Sequence, residues 1–300
     1  MIPSRIVVAL LAIVAVVTVA ERPSAWGFEA HRMIADRAID LLPAAIRPYF
    51  VQHRAFIAEH AIDPDLWRTA GFTEEPPQHF VDLDAFGPAP YDALPRDKDA
   101  AIAKFGKEMV QKNGLLPWRV EEMHGRLVKA FTDVKAQRPY GRENVKFLSA
   151  VVAHYVSDAH VPFHAVTNYD GQLTNQHGLH SRFESQLFER YRSRLRIRAV
   201  PIRVTKAPRD FVFDTLVVSA SLVDPMLAAD REAIGSGEVY DRAYYDRFFA
   251  KARPTLERRL SEAIAGTAAV IAHAWEAGGS PSLADPPPQE RRRRPVAPPQ

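Results

Sequence analysis

Apolar residues recur at intervals of three and four along most of this 300-residue chain, the signature of helices with one buried face. Residues 28–42 place Phe28, Ile34, Ala38, Ile39 and Leu42 on one side, and Pro43 opens a second helix reaching to about Glu59. Residues 97–112 and 117–137 read as helices, the latter with Leu116, Val120, Met123, Leu127 and Phe131 in register. Residues 143–161 are more uniformly apolar, through Phe147, Leu148, Val151, Val152 and Tyr155, which predicts a deeply buried helix. Further helices are predicted over 179–193, 208–231 and 241–277, the last broken near Pro254. Within it, Leu260, Ile264, Ala268, Ile271 and Trp275 form a core face. Arg194 to Thr205 largely alternates basic and apolar residues, as a strand would, but a solvated connector is the favoured reading. Residues 84–96 and 166–178 are polar loops, and no internal repeat is present. The fold class expected is all-α, a single multi-helix domain over 26–280.

The two ends differ from this body. Arg5 followed by the apolar run Ile6–Ala20 reads as a secretory signal over residues 1–25, with cleavage after Ala20 or Ala25. That expectation makes the mature protein secreted or periplasmic. Residues 281–300, with Pro286–Pro288 and Arg291–Arg294, read as a disordered Pro/Arg-rich tail. Arg5, Glu21 and Arg22 carry +1, and Glu290 with Arg291–Arg294 carries +3, so the overall +3 leaves −1 for residues 26–289. A nearly neutral body supplies no electrostatic case for tight nucleic-acid binding. The chain has no cysteine, which excludes disulfides, thiolate metal sites and a cysteine nucleophile.

The chemistry concentrates between His154 and Glu184. Here His154-x-x-x-Asp158 and His180-x-x-x-Glu184 each put two ligand types on one helix face, with His164 between them. Histidine and carboxylate without cysteine form a donor set for zinc. A buried helix that carries His and Asp must satisfy both, and one cation does so at once. His160 points away from the His154/Asp158 face if the helix continues, and Pro162 bends or ends it. Upstream, His31, the Asp63/Asp65 pair and His79 are further candidates; a free amine and carbonyl at Trp26, with His31 five residues on, would chelate a metal if cleavage follows Ala25. His53, His60, His124, His177 and His273 are taken as non-ligands, His124 as ordinary helix surface. Asn168, Tyr169 and Asn175 lie in the polar loop, where substrate contacts are expected. Asp82 and Ser157 are candidates for holding the imidazoles from behind.

In this order (Trp26, His31, Asp65, His79, His154-x-x-x-Asp158, His164, His180-x-x-x-Glu184) the chain resembles the zinc-dependent phospholipase C family, related to the single-strand-specific nucleases of fungi and plants. The match spans a little over half of the chain. The resemblance implies an all-helical domain built around a cleft with three zinc ions. It implies a first zinc on Asp65, His79, His154 and Asp158, and a second on His164, His180 and Glu184. A third would sit on the Trp26 amine and carbonyl with His31, bridged to the first by Asp158. Asp65 is preferred to Asp63 because Arg68 follows it at the interval usual in the nucleases, and Asp65 would also be the catalytic proton acceptor.

Glu184, and the short 164–180 loop without a Gly-Gly-Asn sequence, resemble the phospholipase-type branch. Trp26-Gly-x-x-x-His31, Asp65-x-x-Arg68 and His160 resemble the nuclease branch. The balance favours a zinc-dependent phosphodiester hydrolase of phospholipase C type, acting on a phosphoester substrate, a phospholipid head group or a nucleic acid. The alternatives are a single-strand-specific nuclease or 3'-nucleotidase, and, from another class, a non-catalytic helical binding protein stabilised by zinc. No obligate protein partner is implied.

Overall fold

The computed structural model describes residues 26–235 and 239–284; the expected signal segment 1–25 lies outside the described residues. The elements in chain order are α1 (Phe28–Ala38), α2 (Arg47–Gln52), α3 (Arg54–His60), α4 (Asp63–Thr69), α5 (Lys98–Phe105), α6 (Lys107–Lys112), α7 (Leu116–Lys135) and α8 (Gly141–Asp158). They continue with α9 (Leu179–Ser181), α10 (Leu187–Tyr191), α11 (Pro208–Ser221), α12 (Val223–Ile234) and α13 (Arg242–Ala277). A π turn, Arg182–Gln186, joins α9 to α10 without a break. Among the described residues there is no β-strand, so the fold is all-α and forms one helical domain.

Helix α8 is the centre, as its apolar composition predicts. Val145 and every residue from Ser149 to Asp158 are buried, under α7, α13, α1 and α3. Its hairpin with α7 closes tightly at Gly141, where an added Cβ would stand 2.9 Å from the Val134 nitrogen. Local signals set other boundaries. Asp97 caps α5 by accepting from the Ala100 nitrogen, and Asp241 caps α13 by accepting from the Tyr244 nitrogen. Gly106, at φ 84°, separates α5 from α6 inside what periodicity reads as one helix.

Two expectations are corrected, and one is borne out. Helix α13 runs unbroken through Pro254 to a length of 36 residues, because its apolar face is buried along most of its course and tertiary packing outweighs one missing backbone donor. Residues 195–205 form the irregular connector favoured from the sequence; they lie along α13, with the Arg196 and Arg198 nitrogens donating to Glu257 and Ser261 side chains. The first part of the expected tail, 281–284, packs on the body: Leu283 is 2% exposed, and Pro281 and Ala284 carbonyls accept from Trp275 and Arg142.

One irregular feature positions the site. Phe80 is extended, and residues 81–83, which lead into the 3-10 turn Leu83–Phe86, lie against 164–165, with the Val81 nitrogen donating to the His164 carbonyl and the Leu83 nitrogen to the Ala165 carbonyl. Two loops far apart in sequence are thereby joined beside the end of α8.

Candidate metal centre

Eight histidine and carboxylate side chains converge at the C-terminal end of α8. They come from α1 (His31), α4 (Asp65), the 3-10 turn Pro76–His79 (His79), α8 (His154, Asp158), the 3-10 turn Pro162–His164 (His164) and the α9–π segment (His180, Glu184). All eight are buried. Their ligand atoms form three groups within which all distances are below 4.8 Å: His31/Asp65/His154, His79/His154/Asp158 and His164/His180/Glu184.

The spacings suit shared cations. Ligands held ~2.0–2.2 Å from one tetrahedral ion stand roughly 3.3–3.5 Å from one another. His154 Nε2 lies 3.3 Å from Asp158 Oδ2, and His31 Nε2 lies 3.4 Å from Asp158 Oδ1. His79 Nδ1 is 3.0 Å from Asp158 Oδ2 and 3.1 Å from His154 Nε2. In the other group, His164 Nε2 and His180 Nε2 are 3.1 Å apart, and His180 Nε2 is 2.9 Å from Glu184 Oε2. Several of these atoms are buried without a hydrogen-bond partner: His31 Nε2, both oxygens of Asp65, Asp158 Oδ1 and both oxygens of Glu184. Lone pairs that face one another in a dry interior are costly unless a cation joins them. The donor set, its spacing and its orphaned atoms therefore fit divalent metal ions, and zinc suits this chemistry.

The imidazoles are oriented from behind. His154 Nδ1 donates to the Ala61 carbonyl at 2.8 Å, and His164 Nδ1 donates to the His79 carbonyl at 2.5 Å. His31 Nδ1 lies 2.8 Å from Ser157 Oγ, whose own hydrogen goes to the His154 carbonyl, so the imidazole is the donor. In all three rings the Nδ1 proton is accounted for and the Nε2 lone pair faces the cluster.

Electrostatics divide the cluster: His31, His164 and Asp158 are held in their ligand forms, while Asp65, Glu184 and His79 favour a proton in the absence of a cation. Burial, reinforced by His154, pushes His31 well below its usual range, and burial lowers His164 to about 4, so both are neutral and ligand-ready. Burial opposes the charge on Asp158, but the adjoining imidazoles of His154 and His79 overrule it and hold the carboxyl well below the usual carboxylate range. Burial raises Asp65, and burial with the charges of Asp65 and Asp158 raises Glu184 strongly. Burial also works against a charged His79, yet hydrogen bonds to Asp158 and Glu75 lift it to about 9.

Between the two neighbouring aspartates the geometry decides clearly. Asp65 is in the cluster, whereas Asp63 pairs with His60 at 2.8 Å. Trp26 is fully buried beside it, its indole nitrogen donating to the Ser157 carbonyl. Other readings change. His124 is 8% exposed rather than surface, and its Nε2 lies 2.9 Å from His273 Nδ1 across α7 and α13. His160 is outside the cluster; it donates to the Val156 carbonyl and lines a separate groove of about 480 Å³ with Phe211 and Arg198. Asn168 closes its own loop, bonding Thr174 and accepting from the Leu173 nitrogen, while Asn175 is an exposed left-handed turn residue at φ 58°.

Sequence reasoning missed three supports. Glu75 is buried, accepts from the Tyr155 hydroxyl and lies 3.5 Å from both His79 Nε2 and Arg119 Nη2. Asp170 accepts from the Gly178 and His180 nitrogens, holding the start of α9. Gly114, at φ 99°, lets Phe80 come so close that an added Cβ would be 2.1 Å from the Phe80 carbonyl oxygen. Gly114 had a turn residue's signature and Glu75 stood four residues before His79, whereas Asp170 had no such neighbour to mark it.

No family model matches the chain, and no curated protein matches it. Among solved structures it is similar to the crystal structure of alpha-toxin from an avian strain, SWCP, of Clostridium perfringens. The TM-score is 0.53 at 13% identity, covering 88% of this chain and 68% of that one. The likeness concerns the fold, since function resides in sites rather than in folds.

Proposed function

We propose that this chain is a zinc-dependent phosphoester hydrolase of phospholipase C type, exported after removal of residues 1–25. One observation carries the reading: three groups of buried His and carboxylate atoms, spaced for shared cations, meet at one end of α8. Two are bridged through the two oxygens of Asp158, which lie near His31 and near His79 and His154. The similarity to alpha-toxin supports the fold, and the order of motifs supports the family.

Three zinc ions are proposed, on Asp65/His79/His154/Asp158, on His164/His180/Glu184, and on His31 with the Trp26 amine and carbonyl. Zinc so held supplies an acidified water and Lewis-acid stabilisation of a phosphoester. The chain's own residues do the rest. Asp65, with both oxygens free of hydrogen bonds and its affinity for a proton raised by burial, is suited to accept a proton beside the reacting phosphorus. Arg68 reaches to 3.9 Å of Asp65 and offers charge to a phosphate oxygen. The surrounding burial excludes bulk water and strengthens each of these interactions.

The same Asp65–Arg68 pair favours the runner-up, a single-strand-specific nuclease or 3'-nucleotidase, because that spacing belongs to the nuclease branch. Zinc-loaded protein assayed on phosphatidylcholine and on single-stranded DNA separates the two. Turnover of phosphatidylcholine that disappears when zinc is stripped is the expected result. Undiminished activity on a chromogenic phosphodiester after stripping overturns the metal mechanism, and stoichiometric zinc with no turnover on any substrate leaves a non-catalytic zinc-stabilised protein. N-terminal sequencing of the mature chain, with Trp26 as first residue, tests both export and the amine ligand.

A further inference from the structure

His180 and Glu184 sit on one face of the α9–π segment, and Arg182 lies between them in sequence. Two residues along a helix turn the side chain by roughly 200°, so Arg182 projects from the opposite side. There it is buried and meets Asp230 of α12: Nε and Nη2 lie 3.2 and 3.1 Å from Asp230 Oδ1. Asp230 is 1% exposed and also accepts from the Tyr244 hydroxyl of α13 and from Gln176 Nε2 at 2.7 Å. The remaining Arg182 donors bond the His177 and Gln176 carbonyls at 2.6 and 3.1 Å, and its guanidinium lies 4.0 Å over the Tyr240 ring.

A buried ion pair of this kind is no strong source of stability in itself, because desolvation offsets most of its attraction. What it does supply is direction. It ties the back of the ligand-bearing helix, and the end of the loop leading into it, to α12 and α13 at several points. The π turn starts at Arg182, and such turns, which are rare in helices, need outside support and recur at functional sites.

We propose that Asp230 and Arg182 are positioning residues for the His164/His180/Glu184 group, fixing the angle at which His180 and Glu184 meet His164. The proposal rests on the reading of that group as a metal site. Neither residue belongs to any of the three ligand groups.

The test is a stepwise zinc titration of the whole chain against a chromophoric chelator. It compares wild type, His180→Ala, Arg182→Lys, and the charge-free pair Arg182→Met with Asp230→Leu. The pair avoids leaving one buried charge alone, and helical circular dichroism equal to wild type verifies its fold. His180→Ala identifies the binding step that belongs to this group. The double variant should weaken that same step by about 10–100-fold and leave the other steps unchanged, with Arg182→Lys in between. A general loss of packing would weaken every step. Equal weakening of all steps, or an unchanged His180 step in the folded double variant, overturns the positioning role. Wild type that binds no zinc overturns the metal reading and this proposal with it.

Discussion

Asp158 Oδ1 lies 3.4 Å from Nε2 of His31, while its second oxygen faces the imidazoles of His79 and His154. One carboxylate on the central helix thus connects a ligand delivered by the first helix to a ligand delivered by a loop.

Asp158→Asn keeps the size of the side chain and removes the charge that both neighbouring groups share. It should abolish phosphodiester turnover and release zinc from two groups. The loss of affinity should exceed the roughly 10–100-fold typical when only an outer hydrogen-bond partner is removed. Elemental analysis after dialysis, together with a chromogenic phosphodiester assay, measures both. Full zinc content in a folded variant would refute the bridge.

Ser157 touches no cluster lone pair, yet it accepts from His31 Nδ1. Ser157→Ala should leave the fold intact and weaken only the zinc step that needs His31, by about 10-fold or more. Comparing its zinc titration with that of His31→Ala shows whether the same step is affected.

Gly114 stands at φ 99° against the backbone of Phe80, next to His79. A non-glycine residue in such a conformation costs on the order of 1–3 kcal/mol, and here its Cβ also meets a carbonyl oxygen. Gly114→Ala should lower the thermal midpoint by several degrees and reduce zinc affinity through displacement of His79. An unchanged melting temperature would show that the loop relaxes freely.

The His124–His273 contact predicts a pH dependence away from the metal. Burial and, secondarily, His273 lower His124 to about 4. Its folded value is therefore below the unfolded value near 6.5, and the unfolded chain binds more protons between those limits. Stability is undiminished above about pH 6.5 and falls as pH drops through the window toward 4, by at most ~3 kcal/mol from this group. Urea unfolding at pH 7 and pH 4.5 should show a smaller loss for His124→Gln than for wild type. Parallel losses would remove His124 as a contributor.

Helical class, the burial of α8 and the pairs His154/Asp158 and His180/Glu184 were readable from the chain, because they depend on intervals of three and four residues. The proline rule misjudged Pro254, and the intervals alone did not reveal that His124 is buried. A break or an exposed face is decided by what packs against the helix, and spacing carries no record of that.

Convergence was another matter. Asp65 was preferred to Asp63 only through the Arg68 interval of a resemblance; the turn into α4 is what sends Asp65 into the cluster and Asp63 to His60. Glu75, Asp170 and Asp230 acquire their roles by meeting His79, His180 and Arg182 after the loops have closed. Two of these meetings, at His79 and His180, lie within 4–10 residues, and the third spans 48. Local periodicity thus settled which side chains share a helix face, since helix geometry is set by the backbone. Which faces meet was settled by burial and by backbone contacts such as Val81 with His164, whose energies exist only in the folded chain.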